Sequence, residues 1–322
     1  MEDDTTTISV ADASGDEERS YRFHMKDEWK VHLERYGFVV IANALDKDGV
    51  EKAKELLWTD IEKQNPGTDR TKSSTWKRVP FKNYTGIIAE LAQSAGAWHV
   101  RGAPKVREAF AKIWGTNELL VSMDCVIAWR PWWLQDEWVK PQTENMHLDQ
   151  NPFTKPGLET VQGMVPLYPV TDDVGGLAVV PFSHTKDAQE KIRTSYPHFK
   201  DRGDWCTFPR DSDCTRGSVL VRAEPGDLIL WDSRVVHGGK VGPGRKTKTE
   251  DETLARLSCT VCMTARSRAS EKVLKLRKVA FSKGQAMNHT PHEAGTSTGT
   301  VFTKPIRGYV PPKLSKTQME LL

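Results

Sequence analysis

Two short segments of this chain carry side chains that could bind one metal ion. The first is His147-Leu148-Asp149. In an extended segment, residues i and i+2 project from the same face, so this imidazole and this carboxylate would point to one place. The second segment is an apolar run that follows Pro225-Gly226-Asp227 and ends at His237, just before two glycines. This run predicts a neighbouring strand that supplies a second imidazole.

Two imidazoles and one carboxylate on one face of a metal leave its other positions open. This arrangement suits non-haem iron(II), which must bind a bidentate keto acid and dioxygen together. A structural zinc site would instead close those positions with protein ligands. A His-x-Asp segment alone is common, so the prediction depends on His237, 88 residues after Asp149. We therefore predict that His147, Asp149 and His237 are the metal ligands and the catalytic centre.

A possible anchor for the keto acid follows on the next predicted strand. Arg256-Leu257-Ser258 begins 19 residues after His237. The spacing of two places the guanidinium and the hydroxyl on one face, where they could bind a carboxylate by a bidentate ion pair and one further hydrogen bond. The distal carboxylate of 2-oxoglutarate needs such a partner. Arg245, in the charged segment before Arg256, is the rival candidate.

These motifs resemble the phytanoyl-CoA dioxygenase family of iron(II)- and 2-oxoglutarate-dependent oxygenases. The residues that carry the resemblance lie between about Phe38 and Met263 and are His147-Leu148-Asp149-Gln150, the segment Val174 to His184, Pro225-Gly226-Asp227 leading to His237-Gly238, and Arg256-Leu257-Ser258. The resemblance implies a double-stranded β-helix (jelly-roll) core, with His147, Asp149 and His237 as iron ligands and Arg256 as the 2-oxoglutarate anchor.

The resemblance also implies a reaction. Iron(II), 2-oxoglutarate and dioxygen would together oxidise an unactivated C–H bond of a small molecule by hydroxylation, desaturation or oxidative cyclisation, with release of succinate and CO2. Similar halogenases replace the ligand carboxylate by Gly or Ala, and this chain keeps Asp149. Chlorination is therefore disfavoured.

Two other classes of function stay open on the residues alone. One is a jelly-roll metalloenzyme without redox chemistry, such as a hydrolase or isomerase that uses zinc or manganese. The other is a catalytically silent binding module. A carboxylate anchor at Arg256 favours the oxygenase over the first class, and the presence of all three ligands argues against the second.

Candidates for binding the substrate come from the segments before the first ligand. We expect Arg101, Asp124, Arg130 and Trp132 to line the pocket, and further candidates are Trp98, His99, Trp129 and Trp133. Arg101 and Lys82 would suit an acidic substrate. For each tryptophan singly, core packing is the simpler explanation.

The elements that would position these residues change character along the chain. Helical spacing of Trp29, Leu33 and Tyr36 is followed by the apolar run 38–41 and by a second helical stretch at 50–58, for which Asp46 is a plausible cap. Helical character is also predicted at 85–93 and 106–114, and residues 64–84 are predicted to be a loop or lid.

After residue 114 short apolar segments predict strands. They are 119–129, 163–168, 176–180, 218–221, 227–230 and 257–263, separated by Gly, Pro and Asp. We therefore predict a mainly β protein with peripheral helices, built on a cupin-like jelly roll, with a C-terminal segment that wraps its outside.

Bulk composition limits the partners and the cellular location that we expect for this protein. The 322 residues are 38% apolar and 28% charged, with a net charge of +3, and no basic stripe with aromatics occurs, so nucleic acid is excluded as an expected partner. The sequence lacks an 18-residue apolar stretch and a signal peptide, which predicts a cytoplasmic protein without a membrane partner. It assigns no oligomeric state.

We expect an acidic disordered tail at residues 1–22 and a single domain at 23–322. The five cysteines do not predict a disulfide framework, and Cys259 and Cys262 are expected on opposite faces of a strand.

Overall fold

The computed structural model describes residues 21–76, 85–143, 145–245, 253–293 and 303–322. The helices in these ranges are α1 (Trp29–Tyr36), α2 (Lys47–Gln64), α3 (Ala95–Arg101), α4 (Pro104–Trp114), α5 (Lys186–Ser195), α6 (Glu271–Ser282) and α7 (Lys316–Glu320). The strands are β1 (Arg22–Phe23), β2 (Phe38–Ile41), β3 (Ile87–Ile88), β4 (Leu119–Val121), β5 (Val126–Trp129), β6 (His147–Leu148), β7 (Val161–Pro166), β8 (Gly175–Val179), β9 (Cys206–Thr207), β10 (Val219–Leu220), β11 (Leu228–Asp232), β12 (His237–Val241), β13 (Arg256–Thr260) and β14 (Met263–Ala265).

Two sheets form the core, and both are built almost entirely of antiparallel pairs. The major sheet has the order β1-β2-β11-β7-β13-β5-β3, and the minor sheet has the order β10-β8-β12-β6-β9. Strands β14 and β4 form a separate pair. This is the predicted mainly β jelly roll with peripheral helices, and the two sheets do not close into a barrel.

The alternation of apolar side chains explains how the layers pack. On β2, Phe38 and Val40 belong to the apolar cluster that contains Leu177 of the minor sheet. Val39 and Ile41 belong instead to the cluster that contains residues of α2, α3 and α4. Because successive strand residues point to opposite faces, a strand that is apolar throughout can bury one face between the sheets and the other under the helices.

The N-terminal helices match the sequence prediction closely. The α2 helix begins after Asp46, whose side chain accepts a hydrogen bond from the Gly49 amide at 2.8 Å, which confirms the predicted cap. Leu57 and Trp58 lie on the buried side of this helix.

Three segments differ from the prediction. The predicted helix at 85–93 is instead β3 and a single 3-10 turn, because Ile87 and Ile88 pair with the edge of β5. The apolar run 119–129 is divided into β4 and β5, with Asp124 in the link between them. The C-terminal region contains α6, which the Gly, Pro, Thr and Lys content of that region did not indicate.

The structure describes only the last two residues of the predicted tail, but it describes all five cysteines. Residues 1–20 lie outside the described residues, whereas Arg22, inside the predicted tail, belongs to β1. All five cysteines are free thiols. Within the described ranges, no helix has both the length and the apolar character needed to cross a bilayer.

Candidate metal centre and substrate cavity

The two candidate histidines are held by adjacent strands of the minor sheet. His147 begins β6 and His237 begins β12, and the antiparallel register pairs them directly. Their ring centroids are 4.6 Å apart. Asp149 follows His147 at the i+2 position, just after β6 ends. The sheet register therefore brings together residues that are far apart in the chain.

Ligand atoms of His147, Asp149 and His237 all lie within 4.8 Å of one another. The Nδ1 atoms of His147 and His237 face the backbone oxygens of Asn145 and Val235, at 2.8 and 2.9 Å. A carbonyl can only accept, so each Nδ1 carries the hydrogen and each Nε2 lone pair is free for a metal. These donor atoms fit a divalent metal with open positions.

The Asp149 carboxylate is held by groups from two other parts of the fold. Gln162 on β7 donates to Asp149 Oδ2 at 3.1 Å. Burial by itself would raise the pKa of Asp149, but His289, His147 and His237 hold that pKa well below its usual range. Burial also lowers the pKa of His147. At neutral pH the site therefore presents an ionised carboxylate and a neutral His147 imidazole, the forms that bind a metal.

A cavity of about 450 Å³ lies between the two sheets and contains the three ligands. Its walls come from both sheets and from the C-terminal region, and they include Asp124, Trp129, Met164, Leu177, Trp205, Trp231, Arg256 and His289. A volume of this size suits a small molecule bound next to a metal.

Strands β11 and β13 of the major sheet carry buried polar atoms that have no hydrogen-bond partner among the described residues. The guanidinium of Arg256 lies 4.5 Å from the Trp129 ring centroid and donates from Nη2 to the Met164 sulfur at 3.2 Å. Arg256 Nε, Ser258 Oγ and Trp231 Nε1 are buried, and within the described residues none of these atoms has a hydrogen-bond partner. Arg256 and Trp231 line the cavity, whereas Ser258 is not among the residues that line it. Buried polar groups are normally paired, so the Arg256 and Trp231 donors are suited to an anion bound in the cavity.

Burial lowers the pKa of Arg256 to about 10. The guanidinium is still positively charged at neutral pH, and the structure gives it no carboxylate among the described residues. The rival Arg245 is exposed and lies over the Trp133 ring at 5.8 Å. Arg245 is not among the residues that line the cavity, whereas Arg256 is.

The structure separates the sequence-based candidates for substrate binding. Asp124 and Trp129 line the cavity, and Arg101, Arg130 and Trp132 do not. The Arg101 guanidinium is fully buried in the core and donates to the backbone oxygens of Ala92 and Asp124.

The other two excluded side chains have structural contacts of their own. Arg130 donates to the backbone oxygen of Trp76 at 2.8 Å. Trp132 packs edge-on against Trp129 and Trp133. Of the further candidates, Trp98 donates to Gln93, His99 contacts the Gly49 carbonyl, and Lys82 lies outside the described residues.

The sequence analysis missed several residues that line the cavity. Among them are Gln162, Trp205, Trp231 and His289. The alternation along β7 could have indicated Gln162, because this polar residue interrupts a buried strand. No local signal indicated His289, which comes 140 residues after Asp149 and contacts the Asp149 carbonyl at 3.3 Å.

The chain is similar in sequence or in fold to several known proteins. The chain is 29% identical over 297 residues to "Ava biosynthesis cluster protein O" of Aspergillus versicolor, covering 82% of this chain and 86% of that protein. Its fold resembles the crystal structure of a Salmonella typhimurium LT2 protein that carries an oxidoreductase name, with 12% identity, a TM-score of 0.60, and coverage of 94% of this chain and 85% of that one. The non-haem α-ketoglutarate-dependent epimerase SnoN from nogalamycin biosynthesis is 16% identical, with a TM-score of 0.48 and coverage of 73% and 80%.

The family profile of phytanoyl-CoA dioxygenase matches residues 33–244. That range includes the three ligand positions and most of both sheets. The chain therefore belongs to the phytanoyl-CoA dioxygenase family, whose members are non-haem iron enzymes that use 2-oxoglutarate.

Proposed function

We propose that this protein is an iron(II)- and 2-oxoglutarate-dependent dioxygenase that oxidises an unactivated C–H bond of a small molecule. His147, Asp149 and His237 hold the iron in this proposal, and Arg256 with Ser258 binds the distal carboxylate of 2-oxoglutarate. Loaded with these groups, the site couples conversion of 2-oxoglutarate and O2 to succinate and CO2 with oxidation of the substrate.

One observation carries the proposal more than any other. Buried Arg256, which has no carboxylate partner among the described residues, shares one cavity with the three-ligand site. A hydrolase or an isomerase needs an anion site there only for an anionic substrate, whereas a diacid co-substrate always needs both a metal and a cation. The Trp231 indole, which has no hydrogen-bond partner among the described residues, supplies a further donor in that cavity.

The protein's own residues position the reactants and exclude water. Carbonyl contacts at Nδ1 fix the two imidazoles, and Gln162 orients the Asp149 carboxylate. Trp129 covers one face of the Arg256 guanidinium, which strengthens its interaction with an anion by lowering the local dielectric. The Aspergillus versicolor relative is named for a biosynthesis cluster, which supports a small-molecule substrate.

Anaerobic titration tests the proposal directly. Adding iron(II) and then 2-oxoglutarate to the wild-type protein should produce a weak visible charge-transfer band, and Asp149→Ala should lose it. Asp213→Asn, which removes an exposed carboxylate paired with Arg216, is the matched control and should keep the band. A folded wild-type protein that binds iron but shows no band with 2-oxoglutarate contradicts the assignment.

A further inference from the structure

Lys155 binds two carboxylates that come from different parts of the chain. Its Nζ lies 2.7 Å from Asp204 Oδ2 and 2.7 Å from Glu293 Oε1. The three side chains are between 19% and 31% exposed, so these contacts lie at the border between the core and the solvent. Hydrogen bonds between charged groups are shorter and stronger than those between neutral groups. We name Lys155, Asp204 and Glu293 the clasp.

The Asp204 arm of the clasp reaches the segment that carries two of the metal ligands. Asp204 Oδ1 accepts a hydrogen bond from the amide of Asn151, two residues after Asp149, at 3.2 Å. Asp204 also precedes Trp205, which lines the cavity and whose ring centroid lies 6.3 Å from that of His147. One carboxylate therefore joins the lysine of the clasp, through Oδ2, to the ligand segment, through Oδ1.

The Glu293 arm holds the C-terminal side of the cavity. Both carboxylate oxygens of Glu293 accept hydrogen bonds from Lys155 Nζ, at 2.7 and 2.8 Å. Four residues before Glu293, His289 lines the cavity, and its Nε2 lies 3.3 Å from the Asp149 backbone oxygen. The two arms of the clasp therefore connect to segments that contact the ligand segment at Asp149 and again two residues later.

Lys155 is also coupled to the ligand segment through the turn that precedes it. The Lys155 amide donates to the Asn151 backbone oxygen at 2.9 Å, and the Lys155 backbone oxygen accepts from Gln150 Nε2 at 2.5 Å. The Asn151 side chain is fully buried and accepts from the Phe153 amide at 2.9 Å. Because these contacts lie within six residues of Asp149, the position of Lys155 and that of the ligand carboxylate are linked.

A role in positioning explains the clasp better than a role in general stability. A half-exposed ion pair adds little to the free energy of unfolding. Groups that orient a metal ligand, in contrast, change metal affinity by about 10- to 100-fold. Strand β6 is two residues long, so the sheet gives little support to the residues that follow it. Burial by itself would lower the pKa of Lys155, but Asp204 and Glu293 raise it, so the lysine is charged at neutral pH.

We infer that Lys155 is a positioning residue for the metal centre. By binding both carboxylates of the clasp at once, it holds the segment of Asp149 against the two segments that carry Trp205 and His289. The inference rests on the proposed function for the presence of a metal at the three ligands. It assigns to Lys155 no contact with the metal or with the substrate.

Metal affinity tests this inference. Zinc(II), added without 2-oxoglutarate, would be competed with a chelator on the full chain. Lys155→Met keeps the aliphatic stem and removes both ion pairs, so it should bind zinc(II) about tenfold more weakly than the wild type. Lys155→Arg keeps a cation that can bind two carboxylates and should keep the wild-type affinity.

The matched control is Arg70→Gln. Arg70 binds Glu62 at 2.6 Å, the two side chains are 31% and 28% exposed, and neither residue lines the cavity. This variant removes an ion pair of similar exposure and should leave zinc affinity unchanged. Unchanged affinity in Lys155→Met, a full loss in Lys155→Arg, or an equal loss in Arg70→Gln overturns the inference.

Glu293→Gln provides a second test that keeps the lysine. It removes one arm of the clasp and should also weaken zinc binding. Because both side chains act through one ion pair, the combined Lys155→Met and Glu293→Gln variant should lose no more affinity than Lys155→Met alone. Glu293→Gln decides even if Lys155→Met does not fold, since unchanged zinc affinity in this variant overturns the inference.

The two proposals fail in different ways. The charge-transfer band requires iron(II) and 2-oxoglutarate, whereas zinc competition requires neither. A wild type that lacks the band but shows zinc affinity dependent on Lys155 contradicts the oxygenase assignment alone. A wild type that shows the band, with zinc affinity unaffected by Lys155→Met, contradicts the positioning role alone.

Discussion

His147 and His237 are direct partners in the register between β6 and β12, with their ring centroids 4.6 Å apart. This single pairing sets the geometry of the candidate metal centre. Asp149 then reaches the same point, with Oδ2 at 3.2 Å from His237 Nε2 and Oδ1 at 3.7 Å from His147 Nε2. His147 and Asp149 from one segment and His237 from another are sufficient to form the three-ligand site, because antiparallel strands place paired side chains close together.

The first prediction concerns the co-substrate anchor. Arg256→Gln should weaken 2-oxoglutarate binding by about 100-fold, since it removes a buried cation that binds a carboxylate. The matched control is Arg245→Gln, which removes the exposed rival. Titration of the anaerobic charge-transfer band gives both affinities. A larger loss of 2-oxoglutarate affinity in Arg245→Gln than in Arg256→Gln would make Arg245 the anchor in place of Arg256.

The second prediction concerns the residue that orients Asp149. Gln162→Leu keeps the volume of the side chain but removes its hydrogen bond to Asp149 Oδ2, so metal affinity should fall by about 10- to 100-fold. Competition with a chelator measures this change. Gln135→Leu is the control, because Gln135 contacts Ser73 outside the cavity. Unchanged affinity in Gln162→Leu would mean that the contact does not orient the ligand.

A buried ion pair in the N-terminal part of the major sheet gives the third prediction. Asp227 is fully buried and receives two hydrogen bonds from Arg22 and one each from the Asn43 and Glu224 amides. Asp227→Asn should lower the free energy of unfolding by about 3 kcal/mol, the low end for a broken buried pair, because Arg22 is 30% exposed.

Urea denaturation measures this loss as a lower midpoint with an unchanged slope. The exposed pair of Asp213 and Arg216 provides the comparison, and Asp213→Asn should cost less than about 0.5 kcal/mol. Equal losses in the free energy of unfolding for the two substitutions would show that burial of Asp227 adds nothing to stability.

The fourth prediction is a dependence of stability on pH. Burial, and after it the charge of Arg268, lower the pKa of His292 to about 4. The unfolded chain, with an ordinary histidine pKa of about 6.5, then binds the proton more tightly than the folded protein. The contribution of His292 is therefore constant above pH of about 6.5 and is lost progressively as the pH falls toward 4.

His292→Gln should flatten the decline in unfolding temperature over this pH window, because the amide does not titrate. Thermal unfolding of both proteins at several pH values measures the difference. Identical slopes for wild type and variant would show that His292 is not the group responsible.

The sequence by itself determined the parts of the site that depend on local geometry. His147 and Asp149 share a face because side chains alternate along an extended chain, and the same rule places Arg256 and Ser258 together on β13. Short continuous apolar segments also located most strands, since a strand buried on both faces is apolar throughout. These relationships hold over a few residues and need no knowledge of the rest of the fold.

Only the tertiary structure decided which distant side chains share the cavity. Gln162 reaches Asp149 because the two sheets face each other, and His289 arrives from a C-terminal segment that no local pattern connects to the ligands. Arg101 looked suitable as a binding residue, but its helix points it into the core. The stacking of sheets and the path of the chain between them depend on the sum of many weak packing contacts, and that sum cannot be obtained from the spacing of a few residues.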